Sequence, residues 1–315
     1  MIPRSHFTPV YQPLPPHVEA HIGPVPKPGA GVHSWLFSAA LKLHRYYESE
    51  VIFQVLKNET KSCDRIVPDR EIRDAVKNSA PSKSFTYSNH SQSGGIPEAA
   101  PRWPEIDPAL VRSIIESTPR AQDRLSSASQ HNSFGDDPSQ FVPNVVGQLF
   151  PGNPLICAGE ENYSMRCNRL SEWGSQLASM QFIVPSSMTA ESGFNQSGEL
   201  SFRCLDNTGP RRHLIVEFDD ASPDEQAAFH IHLSQRFLLV AVVHSGGKSL
   251  HGWYYVKGRS ESEIAAFMQY AVRLGADPHT LVRCQPVRMP GGMRRGGFQS
   301  IHQKVLFLNP ELPKP

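Results

Sequence analysis

The sequence predicts an α+β protein whose folded core occupies the C-terminal half, and three observations carry that reading. Between residues 212 and 308 the chain alternates β-branched and aromatic runs with amphipathic stretches in the order β-α-β-β-α-β, a split β-α-β arrangement. Both helices of that series open on a capping box, Ser222 with Glu225 and Ser260 with Glu263. Upstream, proline-rich and serine-rich stretches set a short run of helical periodicity apart from the core.

In chain order, the first 28 residues carry eight prolines, so residues 1–30 read as a disordered tail. In "HSWLFSAALKLHRYY" the positions Trp35, Leu36, Ala39, Ala40, Leu43 and Tyr47 recur at helical spacing. With Glu50–Leu56 and Asp69–Lys77 they make a small helical module over residues 31–78, its aromatic stripe serving as core. Binding DNA or a partner and acting as a folding appendage are both open for this module. Residues 79–140 read as a linker, because "SAPSKSFTYSNHSQSGGIPEAAP" cannot bury enough apolar surface to offset its chain entropy. One helix, Asp107–Ser117, interrupts it, and a polar loop around Ser126–Ser139 precedes the main domain at 141–315.

Inside that domain "RHLIVEFDD" is a buried strand ending in carboxylates, and "SPDEQAAFHIHLSQR" is a helix with Pro223 in its first turn. "FLLVAVVH" and "HGWYYVKG" are two further strands joined by a glycine-rich turn. A second helix places Ile264, Phe267, Ala271 and Leu274 on one face, and Val282–Val287 and Val305–Leu308 complete the series as strands. The order is shared by ferredoxin-like and RNA-recognition-like folds.

A formal net charge of +1 excludes a globally basic nucleic-acid coat. Local clustering remains: from Pro278 to Pro310 there is no Asp or Glu, while Arg283, Arg288, Arg294, Arg295 and Lys304 all fall there. A solvated surface would look the same. The five cysteines are an odd number, far apart in sequence and without a C-x-x-C pair, which argues against a zinc site and a disulfide framework. There is no secretory leader pattern and no apolar run near the roughly 18 residues a membrane span needs. The chain reads as soluble, cytoplasmic and without a membrane partner.

Two motifs carry chemistry. Glu217 and Asp219 are two apart on a strand, so both carboxylates face one side, where a hard divalent cation such as Mg2+ or Mn2+ would relieve their repulsion. A lone E-x-D also ends many strands in water. The turn "HSGGKSLH" resembles a Walker loop at Gly247-Lys248-Ser249, but Val242 stands where the opening glycine belongs and a strand follows instead of a helix. It still offers a triphosphate backbone N–H groups at Gly246 and Gly247, the Lys248 charge, and Ser249 with His251 on one side of the strand. Further on, Asp277 follows a helix and can add a third carboxylate, or simply start the turn at Pro278. Arg288 can reach a phosphate, and Arg294 and Arg295 a nucleic-acid backbone.

Taken together these residues resemble the archaeo-eukaryotic primase superfamily, which includes primase-polymerases of phages, plasmids and integrated mobile elements. The resemblance covers about residues 141–309 and rests on Glu217-Phe218-Asp219 as the acidic motif, Ser249-Leu250-His251 as the S-x-H motif, and Asp277 with "VRMPGG" as the later motif. Glu217 stands where Asp is commoner. The resemblance implies an RNA-recognition-like catalytic core and two metals held by Glu217, Asp219 and Asp277. It also implies a triphosphate held by Ser249, His251, Lys248 and Arg288, and primer synthesis or extension on single-stranded DNA from NTPs or dNTPs. A replicative helicase would be a separately encoded partner, and no zinc is expected. The rival expectations are a catalytically inactive single-strand-binding module that recruits a helicase, and a nuclease or phosphoesterase using the same acids.

Overall fold

The computed structural model describes residues 19, 22–27, 29, 31–44, 46–63, 65–80, 103–129, 137–296 and 299–309. Most of the tail expected at 1–30, the serine-rich linker and much of the polar loop near 130 lie outside the described residues. The chain divides into two compact units, residues 1–85 with 105–113, and residues 86–104 with 114–315.

In the first unit, helices α1 (Val32–Leu43), α2 (Ser49–Glu59) and α3 (Asp69–Ser79) bury one stripe each: Leu36, Ala39 and Leu43; Ile52, Phe53 and Leu56; Ile72, Ala75 and Val76. Acidic Asp69 and Glu71 in the first turn of α3 favour its N-terminal dipole end, and the Arg73 guanidinium lies 3.8 Å from the Phe53 ring centroid. Helix α4 (Pro108–Ser117), with Asp107 Oδ1 accepting from Leu110 N at 3.1 Å, crosses the division between the units.

The second unit begins with α5 (Ala121–Ser127) and α6 (Pro138–Leu149), the latter capped by Asp137. Then come β1 (Leu155–Gly159), β2 (Met165–Arg169), the short α7 (Leu170–Trp173), β3 (Phe182–Ile183), β4 (Gly193–Phe194) and β5 (Leu200–Ser201). They lead into β6 (His213–Glu217), α8 (Pro223–Ser234), β7 (Leu239–His244), β8 (Leu250–Tyr255) and α9 (Glu261–Arg273). The chain ends with β9 (Val287–Arg288), β10 (Met293–Gly296), β11 (Gln299–His302) and β12 (Val305–Leu308). Both expected capping boxes form at the starts of α8 and α9.

Two antiparallel four-stranded sheets organise this unit, one in the order β2-β1-β3-β9 and one in the order β12-β7-β8-β6. In the second, β8 lies between β6 and β7, which α8 connects, so the split β-α-β unit is present. The expected strand Val282–Val287 is absent. Pro286 has no N–H to donate, Gln285 N turns back to Val282 O at 2.9 Å, and only Val287–Arg288 pairs, joining β3 in the other sheet. The last strand, β12, pairs with β7; the free edge of β6 receives only the isolated bridge Phe218↔Ala276.

One core joins the sheets, with Val142, Val146 and Leu149 of α6 against Ile156, Ile183, Ile215, Trp253 and Leu308. No helix among the described residues is long and apolar enough to cross a membrane.

Candidate functional site

The site forms where β6 ends and β8 begins. Glu217 and His251 are cross-strand partners in the β6/β8 register, and His251 Nε2 stands 2.9 Å from Glu217 Oε2. The expected strand over 212–220 stops at Glu217, and Asp219 sits in the bend that follows. What holds the bend is Phe218, fully buried with its ring centroid 5.0 Å from that of Phe229 and 5.3 Å from that of His230. Off the strand, Asp219 still turns to the same place, its Oδ1 accepting from Ser249 Oγ at 3.0 Å.

Asp277 arrives from the end of α9. Its backbone N–H donates to Glu217 O at 3.0 Å, next to the Phe218↔Ala276 bridge, while its Oδ1 accepts from His279 N at 3.0 Å. Oxygens of Glu217, Asp219 and Asp277 lie within 4.8 Å of one another, the single group of three or more potential metal ligands among the described residues. Burial pushes the Glu217 carboxyl up, but the hydrogen bond and charge of His251, with Arg288 behind them, outweigh it and hold the group below its ordinary value.

The β7–β8 turn closes the site from the side. Gly246 has a φ of 73°, which L side chains rarely adopt, and its N–H donates to His244 Nδ1 at 3.1 Å. Gln226 of α8, fully buried, clamps the turn: its Nε2 donates to Lys248 O at 2.9 Å and its Oε1 accepts from Leu250 N at 2.6 Å. Lys248 itself is exposed, with Nζ 3.7 Å from Asp220 Oδ1.

Across from the acids stand two arginines. Arg288 lies with its guanidinium 4.6 Å from the Phe182 ring centroid and donates from Nη1 to Gln181 Oε1 at 2.9 Å. Arg294, expected on a nucleic-acid backbone, instead lines the cleft and packs on the turn, its Cβ 3.1 Å from where a side chain at Gly246 would begin. Its side chain forms no hydrogen bond or ion pair among the described residues. Arg295 is directed away, its Nη1 paired with Glu160 Oε2. The cleft encloses about 370 Å³ and is lined by Glu217, Asp219, Ser249, His251, Arg288 and Arg294.

Gln181 and Gln226, buried amides that hold Arg288 and the turn, are absent from the residues the sequence singles out. Nothing at either position distinguishes them from ordinary surface glutamines. Three carboxylates and no thiol suit a hard cation. Mg2+–oxygen bonds of about 2.1 Å set neighbouring ligands roughly 3–4 Å apart, somewhat closer than the 4.8 Å within which the three acids lie. No protein-family model matches the chain, and no curated protein or solved structure matches it.

Proposed function

We propose that the cleft carries out template-directed nucleotidyl transfer, making this chain a cytoplasmic primase-polymerase of archaeo-eukaryotic primase type built on an RNA-recognition-like core. One observation carries the reading: the oxygens of Glu217, Asp219 and Asp277 meet within 4.8 Å, and the first two line the same cleft as Gly247, Arg288 and Arg294. Such a site faces a polyphosphate with cations and hydrogen-bond donors on one side and a metal-binding wall on the other.

Glu217, Asp219 and Asp277 would hold Mg2+ or Mn2+, which when bound supplies Lewis acidity for phosphoryl transfer. His251 donates from Nε2 to Glu217 and fixes that carboxylate's orientation; its Nδ1 is buried and has no partner among the described residues. Ser249 does the same for Asp219. Arg288 and Arg294 neutralise the triphosphate of an NTP or dNTP, and Lys248 at the rim adds a third positive charge. A primer 3'-hydroxyl attacks the α-phosphorus, the bond to the bridging oxygen of the β-phosphate breaks, and pyrophosphate leaves. The hydroxyl proton passes to solvent.

The test is incubation with circular single-stranded DNA, labelled NTPs or dNTPs and Mg2+ or Mn2+, without primer and without a helicase. Labelled product is expected, and its loss in E217A/D219A with an unchanged circular dichroism spectrum. Binding without incorporation would favour the inactive single-strand-binding module; shortened DNA would favour a nuclease.

A further inference from the structure

A second cavity lies at the opposite end of the same sheet. Strand β6 carries Glu217 at one end, while Arg211, six residues earlier, lines a cavity of about 650 Å³. Six residues of extended chain separate the two by roughly 20 Å. The start of β8 likewise lines the acidic cleft, and Gly258 and Arg259 beyond its end line the second cavity.

Three arginines converge there: Arg211, Arg259 and Arg283. Arg211 has a side chain only 8% exposed and is fixed by two hydrogen bonds to Glu261, at 3.4 and 3.2 Å. Arg283 donates one Nη2 bond to Leu205 O at 3.2 Å, and its Nε is buried with no partner among the described residues. Arg259 lies with its guanidinium 5.4 Å from the Phe237 ring centroid and reaches the exposed Glu263 at 3.4 Å. The acids on the lining are engaged as well: Glu261 by Arg211, and Asp206 by the Phe194 N–H at 3.0 Å. Three arginines against Asp206 and Glu261 leave one positive charge in excess on the lining.

That last bond ties the cavity to the β4–β5 hairpin, which is unusually apolar for a surface. Phe194 and Leu200 face each other across the hairpin and are 63% and 66% exposed; Phe202 and Leu205 follow at 50% and 46%. Leu205 also lines the cavity. Cationic groups beside exposed rings match a flexible polyanion that carries its own flat apolar surfaces. Phosphates meet arginine, and unstacked bases lie on phenylalanine.

We infer that the arginine cavity and the β4–β5 hairpin form a binding site for single-stranded nucleic acid, separate from the acidic cleft. The site takes the phosphodiester backbone at Arg259 and Arg283, with Arg211 held in place by Glu261, and stacks bases on Phe194 and Phe202. It needs no divalent cation.

The probe is a fluorescently labelled homothymidine oligonucleotide, titrated by anisotropy against the full chain in chelator. R259Q/R283Q is expected to weaken binding about tenfold and to reduce the salt slope by about 2, one for each arginine withdrawn from a phosphate. F194A/F202A is expected to weaken it at least about fivefold with the salt slope unchanged. E217A/D219A keeps wild-type affinity, so the outcome is independent of whether the cleft is catalytic. Retained binding in both site variants, with melting curves like wild type, would overturn the assignment. So would displacement of the probe from wild type by free nucleoside triphosphate as readily as by unlabelled oligonucleotide, since the cavity would then be a mononucleotide site.

Discussion

Replacing Gly247 by alanine separates the cleft's chemistry from its stability. Gly247, unlike Gly246, has no positive φ, so alanine meets no backbone strain there and gains about 0.4–1 kcal/mol from a less flexible unfolded chain. Its Cβ, however, falls well inside contact of Arg294 Nη1. That atom ends a long flexible side chain, which swings out at little cost. Stability should change by less than about 1 kcal/mol while the cleft loses one cation. A hydrogen bond to a charged group is worth about 1.5–3 kcal/mol, so affinity for a triphosphate should fall roughly 10- to 150-fold. The assay is titration of a fluorescent nucleotide with Mg2+ present, alongside thermal melts of G247A, R294A and the double variant. Both single variants should weaken binding alike, and G247A should add nothing to R294A. Intact affinity in G247A beside a loss in R294A would refute this account, as would two losses that add. Gly246→Ala is the contrast, since its φ of 73° costs about 1–2 kcal/mol in stability.

D277N should weaken Mn2+ binding measured by calorimetry at least about tenfold without altering the melting curve; equal affinity would show that Asp277 only caps its turn. Gly252 faces His230 so closely that a Cβ would fall inside contact of its buried ring, so Gly252→Ala should cost about 1–3 kcal/mol in denaturant unfolding, and a neutral result would contradict the packing. Burial holds His230 down to about 4 and His213 down to about 3, with Arg212 adding to the effect on His213. Both stay neutral in the folded state while the unfolded chain takes up protons below about 6.5, so stability is complete above that pH and drains away as pH falls toward those values. Between pH 6.5 and 5 the loss should approach about 3 kcal/mol. The depressed Glu217 acts lower still: its contribution is present above its ordinary carboxylate range and is lost as pH falls through its folded value. A melting temperature constant from pH 7 to 5 would contradict the histidine assignment.

The β6–α9 series is legible in the sequence because each element carries its own local signal: long β-branched runs, two capping boxes, one glycine pair. The other sheet is not. Strands β3 and β9 are two residues each, too short to show a period, and β1 is a uniformly buried run of small residues. The E-x-D and the twin glycines are each visible, but their convergence depends on cross-strand register, and Asp277 joins them through the Phe218↔Ala276 bridge, which spans residues distant in sequence. Arg294 lines the cleft, a placement that its position in the sequence does not announce, for a similar reason. Only the antiparallel pairing of Arg294 with Ile301 folds that hairpin back over the glycine turn.

The third carboxylate follows a helix, whereas Glu217 ends a strand and Asp219 sits in the bend just after it. Asp277 follows α9 by a few residues, and α9 is seated by Ile264, Phe267, Met268 and Ala271. An axial slip of about 1–2 Å, the scale on which packed helices shift, would carry Asp277 with it and widen the gap among the acids. The packing of α9 would thus act as a calibration of the proposed metal site: trimming Phe267 or Met268 should change cation affinity without touching a ligand.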